Sequence, residues 1–280
     1  MKKVLIILCI VMILALVAGL GSTLFVSKGA SSVSEDVSAS VVSPSQPSGG
    51  SGSSTSADPQ PVEFVSTVDL SDKTYIAFGD SITWGYANYT QMSKPYPTLV
   101  SELLNLASYS NSSVCGATLT QNDLDLFNET SYICSVTSPY DIVSVMMGVN
   151  DMIRCLPLGT IDDRDNTTIY GSLYLIMEHF STYYPDSFVF FMTPLNIRYR
   201  DGDGYRENSV GFSLYDVSCA IKQMAKKYDY PVLDLFSFGS YSLEAFDEES
   251  DGVHPSQEFI QDYTAPMIAQ FINDHFDPDR

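Results

Sequence analysis

Positive charge is what this 280-residue chain has least of: 14 Lys and Arg stand against 34 Asp and Glu, a formal net charge of −20. The first 60 residues carry Lys2, Lys3 and Lys28 against Glu35, Asp36 and Asp58, so the whole imbalance falls on the remainder. That argues against nucleic acid and anionic lipid headgroups as partners, because phosphate binding needs clustered Lys and Arg. A neutral or cationic substrate surface is easier to approach. No His-Glu-x-x-His pair and no Walker glycine loop occurs, so neither a metal nor a nucleotide cofactor is implied. The stretch Asp201-Gly-Asp203-Gly-Tyr205-Arg-Glu207 lacks the third acid and the distal glutamate of a calcium loop and reads as a polar surface turn. Histidine is also scarce, with only His179, His254 and His275.

Charge of either sign is missing from Val4 to Val26. As a helix this run would be about 34 Å long, enough to span a bilayer. Lys2 and Lys3 ahead of it predict a cytoplasmic N-terminus and a catalytic part outside. The run exceeds a usual signal-peptide core and no clean small-x-small site closes it, which favours an uncleaved anchor at 1–26 over a cleaved signal peptide. From Ser27 to Gln60 the chain is rich in Ser, Gly, Val and Pro and cannot bury enough apolar surface to offset ordering. It reads as a disordered tether, leaving 61–280 as one globular domain.

From Val62 onward apolar strands alternate with helical patterns, the rhythm of an α/β protein with a parallel sheet. Strands are predicted at Thr74–Phe78, Ser108–Val114, Asp141–Met147, Phe188–Met192 and Val232–Leu235. Helices are predicted at Tyr96–Leu106, within Gln121–Ile133, along the stripes Ile169 to Tyr184 and Val210 to Tyr228, and over Gln257–Phe276. Five strands with crossover helices imply a three-layer α/β/α doubly wound, flavodoxin-like fold whose site lies at the carboxyl ends of the strands.

Four short stretches fall behind those strands: Gly79-Asp80-Ser81 after the first, Cys115-Gly116-Ala117-Thr118 after the second, Gly148-Val149-Asn150-Asp151 after the third, and Asp251-Gly252-Val253-His254-Pro255 after the fifth. Together they resemble the four blocks of the SGNH hydrolase superfamily, also called GDSL esterases and lipases, over about Thr74 to Phe276. The resemblance implies a nucleophile at Ser81, a general base at His254 and an orienting carboxylate at Asp251. It further implies an oxyanion hole of the Ser81 and Gly116 backbone N–H groups and the Asn150 side chain. Each role suits its residue: an imidazole can take the hydroxyl proton and return it to the leaving alcohol, and an amide can donate to charge that develops in the transition state. Gly79-Asp80-Ser81-Ile82-Thr83 lacks the last glycine of the Gly-x-Ser-x-Gly elbow, which disfavours an ordinary α/β-hydrolase.

Taken alone, a serine after a strand is a helix cap, Gly116 a turn glycine and Asn150 another cap. Asp80 and Asp151 read as loop-shaping residues. Trp84, the only tryptophan, with Tyr86 and Tyr89, is expected either to wall an acyl or sugar pocket or to pack in the core. Cys115, Cys134, Cys155 and Cys219 make an even set in a domain placed outside the cell, where disulfides persist. The expected pairing is Cys115 with Cys134 and Cys155 with Cys219. Asn88, Asn111, Asn128 and Asn166 stand in Asn-x-Ser/Thr sites. The function expected is an extracellular serine esterase acting on short acyl esters, with acetylated carbohydrate as the favoured substrate. A lipase or lysophospholipase, or a catalytically silent glycan-binding module, is the alternative.

Overall fold

The computed structural model describes residues 64–87, 90–122, 127–198, 202–238 and 251–277. The anchor and tether expected at 1–60, Asn88, Tyr89 and Asp201 lie outside the described residues. Strand β1 (Thr74–Gly79) carries the β-branched and aromatic residues that suit a pleated surface, and it is buried from Tyr75 onward. It pairs in parallel with β4 (Ser108–Ser113) on one side and β5 (Ile142–Met146) on the other. Beyond β5 follow β6 (Phe188–Met192) and β7 (Val232–Leu233).

All five strands run parallel in the order β4-β1-β5-β6-β7, the flavodoxin-like order anticipated from the alternation of strands and helices. The order reverses at β1, so the crevice beyond the carboxyl ends of β1 and β5 is where such folds bind their ligands. β5 and β6 are buried at every position, as strands covered on both faces must be. Phe188, Phe190 and Phe191 of β6 each contribute about 1.5–3 kcal/mol by leaving water. β4 is the edge strand, polar and half-exposed. Its Asn111 side chain donates to Thr83 O at 2.8 Å, tying the edge to the segment after β1.

Helices cover both faces of the sheet. α2 (Tyr96–Leu103) packs against the C-terminal helix, while α3 (Glu129–Ile133) and α6 (Leu214–Tyr228) both pack against α5 (Ile169–Tyr183). Two short helices follow strand ends directly: α1 (Ser81–Trp84) after β1 and α4 (Val149–Ile153) after β5. A hairpin of β2 (Tyr86–Ala87) and β3 (Thr90–Gln91) follows α1.

α6 begins later than its apolar stripe suggested. A reciprocal cap starts it, with Ser213 Oγ accepting the Asp216 N–H and the Asp216 carboxylate accepting the Ser213 N–H. Val210 therefore falls in the preceding loop, 59% exposed. The last helix is interrupted too. Gln257–Phe259 passes through a π turn, Ile260–Thr264, into α7 (Ala265–His275). The π turn lies just ahead of Pro266, which has no N–H to continue the ladder. Among the described residues no helix is long and apolar enough to cross a membrane.

Candidate active site

Ser81 is delivered by the junction between β1 and α1. A Cβ at Gly79 would come within 1.9 Å of Thr83 Oγ1, so only a glycine lets the strand turn this tightly into the helix. Asp80 caps α1, its Oδ1 accepting the Ile82 N–H at 3.0 Å, and Ser81 becomes the first helical residue, buried with 8% exposure. Burial pushes the Asp80 carboxyl up to about 6, while the Ile82 N–H and the His254 charge pull it down.

His254 arrives from the segment after β7. Its Nε2 lies 2.7 Å from Ser81 Oγ, and its Nδ1 lies 2.6 Å from Asp251 Oδ2. With Nδ1–H donating to the carboxylate, Nε2 is left as the acceptor that faces the serine hydroxyl. Asp251 Oδ1 also accepts the N–H groups of Val253 and His254, each at 2.9 Å. Burial alone would raise the Asp251 pKa, but the hydrogen bond and charge of His254 and those two N–H groups hold it below the usual carboxylate value. Gly252 sits at φ 75, and a Cβ there would meet Arg198 O at 2.1 Å. Arg198 N–H in turn donates to Gly252 O at 2.8 Å, stitching the histidine loop to the chain that leaves β6. Gln257 fixes the far side of the loop, donating to Ser93 Oγ at 2.8 Å and accepting the Ser93 N–H at 3.2 Å.

Asn150 bridges the loop that carries Gly116 and the residue that precedes the serine. Gly116, at φ 77, is the third residue of a turn closed by Ala117 N–H to Val114 O at 3.0 Å, a position that favours glycine. Asn150 Nδ2 donates to Ala117 O at 2.9 Å and lies 3.5 Å from Asp80 Oδ2, a contact long enough to be weak. Asp151, fully buried, accepts the N–H groups of Leu119 and Thr120 and the Thr120 hydroxyl, so it braces the loop that carries Gly116.

A model of the GDSL-like Lipase/Acylhydrolase family matches residues 77–259, well over half of the chain. The chain belongs to that family. It is thus an SGNH-type serine hydrolase, and the esterases and lipases of the GDSL family are its kin. A solved protein from Lactobacillus plantarum matches this GDSL hydrolase with a TM-score of 0.62 at 25% identity, covering 73% of this chain and 99% of that one. The aryl esterase of M. smegmatis matches with a TM-score of 0.54 at 17% identity, over 73% and 100% of the two chains. A carbohydrate acetylesterase family member from Sinorhizobium meliloti gives 0.50 at 17%, over 72% and 96%. The last two likenesses are of fold alone. No curated protein matches the chain significantly.

Of the other residues singled out from the sequence of this GDSL hydrolase, Tyr86 packs edge-on against the His254 ring, 4.5 Å between centroids, and Trp84 ends α1 half-buried. The disulfide pairing is corrected: neither expected bridge, Cys115 with Cys134 or Cys155 with Cys219, is formed. Cys134 Sγ faces Leu175 O of α5, and Cys155 Sγ lies 3.0 Å from Ser209 Oγ. Two of the Asn-x-Ser/Thr asparagines have internal roles. Asn128 caps α3, and Asn111 holds Thr83 O. Glu129, buried against the end of β1 near Asp80, was not among the residues singled out from the sequence. Following a capping asparagine, it reads there as an exposed acid in the first turn of a helix.

Proposed function

We propose that this chain is a serine esterase that works on the outer side of a membrane and hydrolyses short acyl esters, acetyl groups on carbohydrate foremost. The observation that carries the reading is the chain from Ser81 Oγ through both ring nitrogens of His254 to Asp251, with contacts of 2.7 and 2.6 Å. In this reading His254 takes the Ser81 proton as Oγ bonds to the acyl carbon, then gives it to the departing alcohol oxygen. A water follows the same route: its proton goes to His254, its oxygen bonds to the acyl carbon, and Ser81 leaves with the proton back in place. Asp251 keeps the Nδ1 proton in position and offsets the imidazolium charge. The N–H groups of Ser81 and Gly116 and the Asn150 amide hold the oxyanion, and Trp84 and Tyr86 wall the acyl or sugar pocket.

Three features support a short, neutral ester. The domain is strongly acidic, no long apolar lid segment interrupts the four motif stretches, and a carbohydrate acetylesterase family member and an aryl esterase share the fold. The outer location rests on Lys2 and Lys3 ahead of the uncharged run Val4–Val26, with 27–60 as the tether. The test is a panel of p-nitrophenyl esters from acetate to palmitate, together with acetylated sugars, with Ser81→Ala as control. Acetate and acetylated sugars should lead, and Ser81→Ala should lower kcat by at least about 10⁴-fold. Faster turnover of the long chains would replace this reading with a lipase. Sugar binding that survives Ser81→Ala, with no turnover by the wild type, would replace it with a glycan-binding module.

A further inference from the structure

Beneath the nucleophile lies a carboxylic acid that the hydrolytic steps do not use. Glu129 opens α3, is 0% exposed, and neither of its carboxyl oxygens has a hydrogen-bond partner. The chain puts it there deliberately: Glu129 N–H donates to Thr118 O at 2.9 Å, Thr130 Oγ1 to Leu119 O at 2.8 Å, and α3 packs on β1. The charged group facing Glu129 from the end of β1 is Asp80, itself 2% exposed. Asp80 is in turn acted on by Asp151 of α4 and by His254, and its charge reaches Tyr96 of α2. The guanidinium of Arg154 acts on Asp151. On the α5 side the groups against α3 and the chain leading into it are neutral, the Leu175 carbonyl and the Ser172 hydroxyl, with His179 bonded to Val136 O at the far end.

Two carboxyls sharing a dry site cannot both hold a charge at neutral pH. Asp80 has the Ile82 N–H and a weak contact to Asn150 to stabilise its anion, whereas Glu129 has no such hydrogen bond. Burial first, and the Asp80 charge second, push Glu129 up to about 9, the nearby Gly79 N–H working weakly the other way without being aligned to donate. We propose that Glu129 is a positioning residue that keeps its proton beneath the nucleophile, so that no second anion joins Asp80 at the end of β1, and that loss of this proton ends activity at alkaline pH. The inference rests on the reading of Ser81 and Asn150 given above. A second anion there would oppose the oxyanion and draw the Asn150 amide away from it. The triad itself imposes no alkaline limit, because a neutral His254 stays competent as pH rises.

The experiment is a kcat/KM profile on a p-nitrophenyl acetate-type ester from pH 6 to 10.5 for the wild type and Glu129→Gln, with circular dichroism at each pH. The wild type should lose about tenfold between pH 8 and 10, and Glu129→Gln should stay within about twofold across that interval. A wild type with no alkaline limb, or a Glu129→Gln profile with the same limb, overturns the proposal. Melting temperatures give a readout independent of turnover. The unfolded pKa of Glu is about 4.3, and the folded one is raised. The wild type therefore loses stability relative to Glu129→Gln steadily as pH rises from there to about 9, and no further above it. A gap that stays constant from pH 5 to 9 overturns the proposal whatever the activity. A widening gap in a protein that turns over no ester sinks the site reading and leaves the buried proton standing. If Glu129→Gln does not fold, the infrared carbonyl band of a protonated carboxylic acid in the wild type decides: present at pH 8 and gone by pH 10.5 supports the proposal, absent at pH 8 overturns it.

Discussion

Both N–H groups of Asn150 have acceptors at rest, Ala117 O at 2.9 Å and Asp80 Oδ2 at 3.5 Å, and the longer contact is the one a substrate oxygen can displace at little cost. Asn150→Ala should therefore lower kcat by roughly 10²–10³-fold with KM changed only a few-fold, because the donor acts on charge that appears in the transition state. Steady-state kinetics check this, and a kcat loss under fivefold would remove Asn150 from the oxyanion site. The other residues of the site were legible for reasons of the same kind. His254 stood out because so few histidines compete with it, and the other two are bonded to backbone carbonyls, His179 to Val136 O and His275 to Phe271 O. Glu129 was not legible. Asn-Glu-Thr-Ser is a solvent-facing helix start by every local rule, and only the packing of α3 on β1 turns its carboxyl inward.

Among the elements, apolar periods revealed most of the long strands and helices, while boundaries set by single hydrogen bonds were missed. β5 and β6 announce themselves as continuous apolar runs, and α5 by its stripe at helical spacing. β4 carries almost no apolar signal beyond Tyr109, and it lies where the strand was expected, at Ser108–Val114. The β2–β3 hairpin and the helices α1 and α4 are too short for any periodicity to report them. At the start of α6 the apolar stripe pointed to Val210, while the Ser213–Asp216 cap fixed the boundary. Ser213→Ala should cost about 1 kcal/mol, seen as a fall of roughly 2–4 °C in melting temperature. An unchanged melting temperature would mean that the cap adds nothing to packing of α6 on α5.

At the scale of the whole molecule, the strand order reverses at β1, and the motif stretches leave the carboxyl ends of β1, β4 and β5, with Asp251 to His254 following β7. That arrangement followed from α/β alternation, since right-handed crossovers leave few ways to wind five parallel strands. The disulfide expectation failed because it rested on compartment and sequence neighbourhood, neither of which says where a sulfur atom points. If residues 1–60 only hold the domain outside a membrane, a chain lacking them should keep kcat/KM within about twofold while moving from the membrane fraction to the soluble one. A large loss of turnover would give that segment a part in the chemistry. Ser81 and His254 are 173 positions apart. At about 5–20 residues added per second, on the order of ten to thirty seconds separate the emergence of the one from that of the other during translation. Over that interval Ser81 stands on the nascent chain without the imidazole it meets in the folded domain.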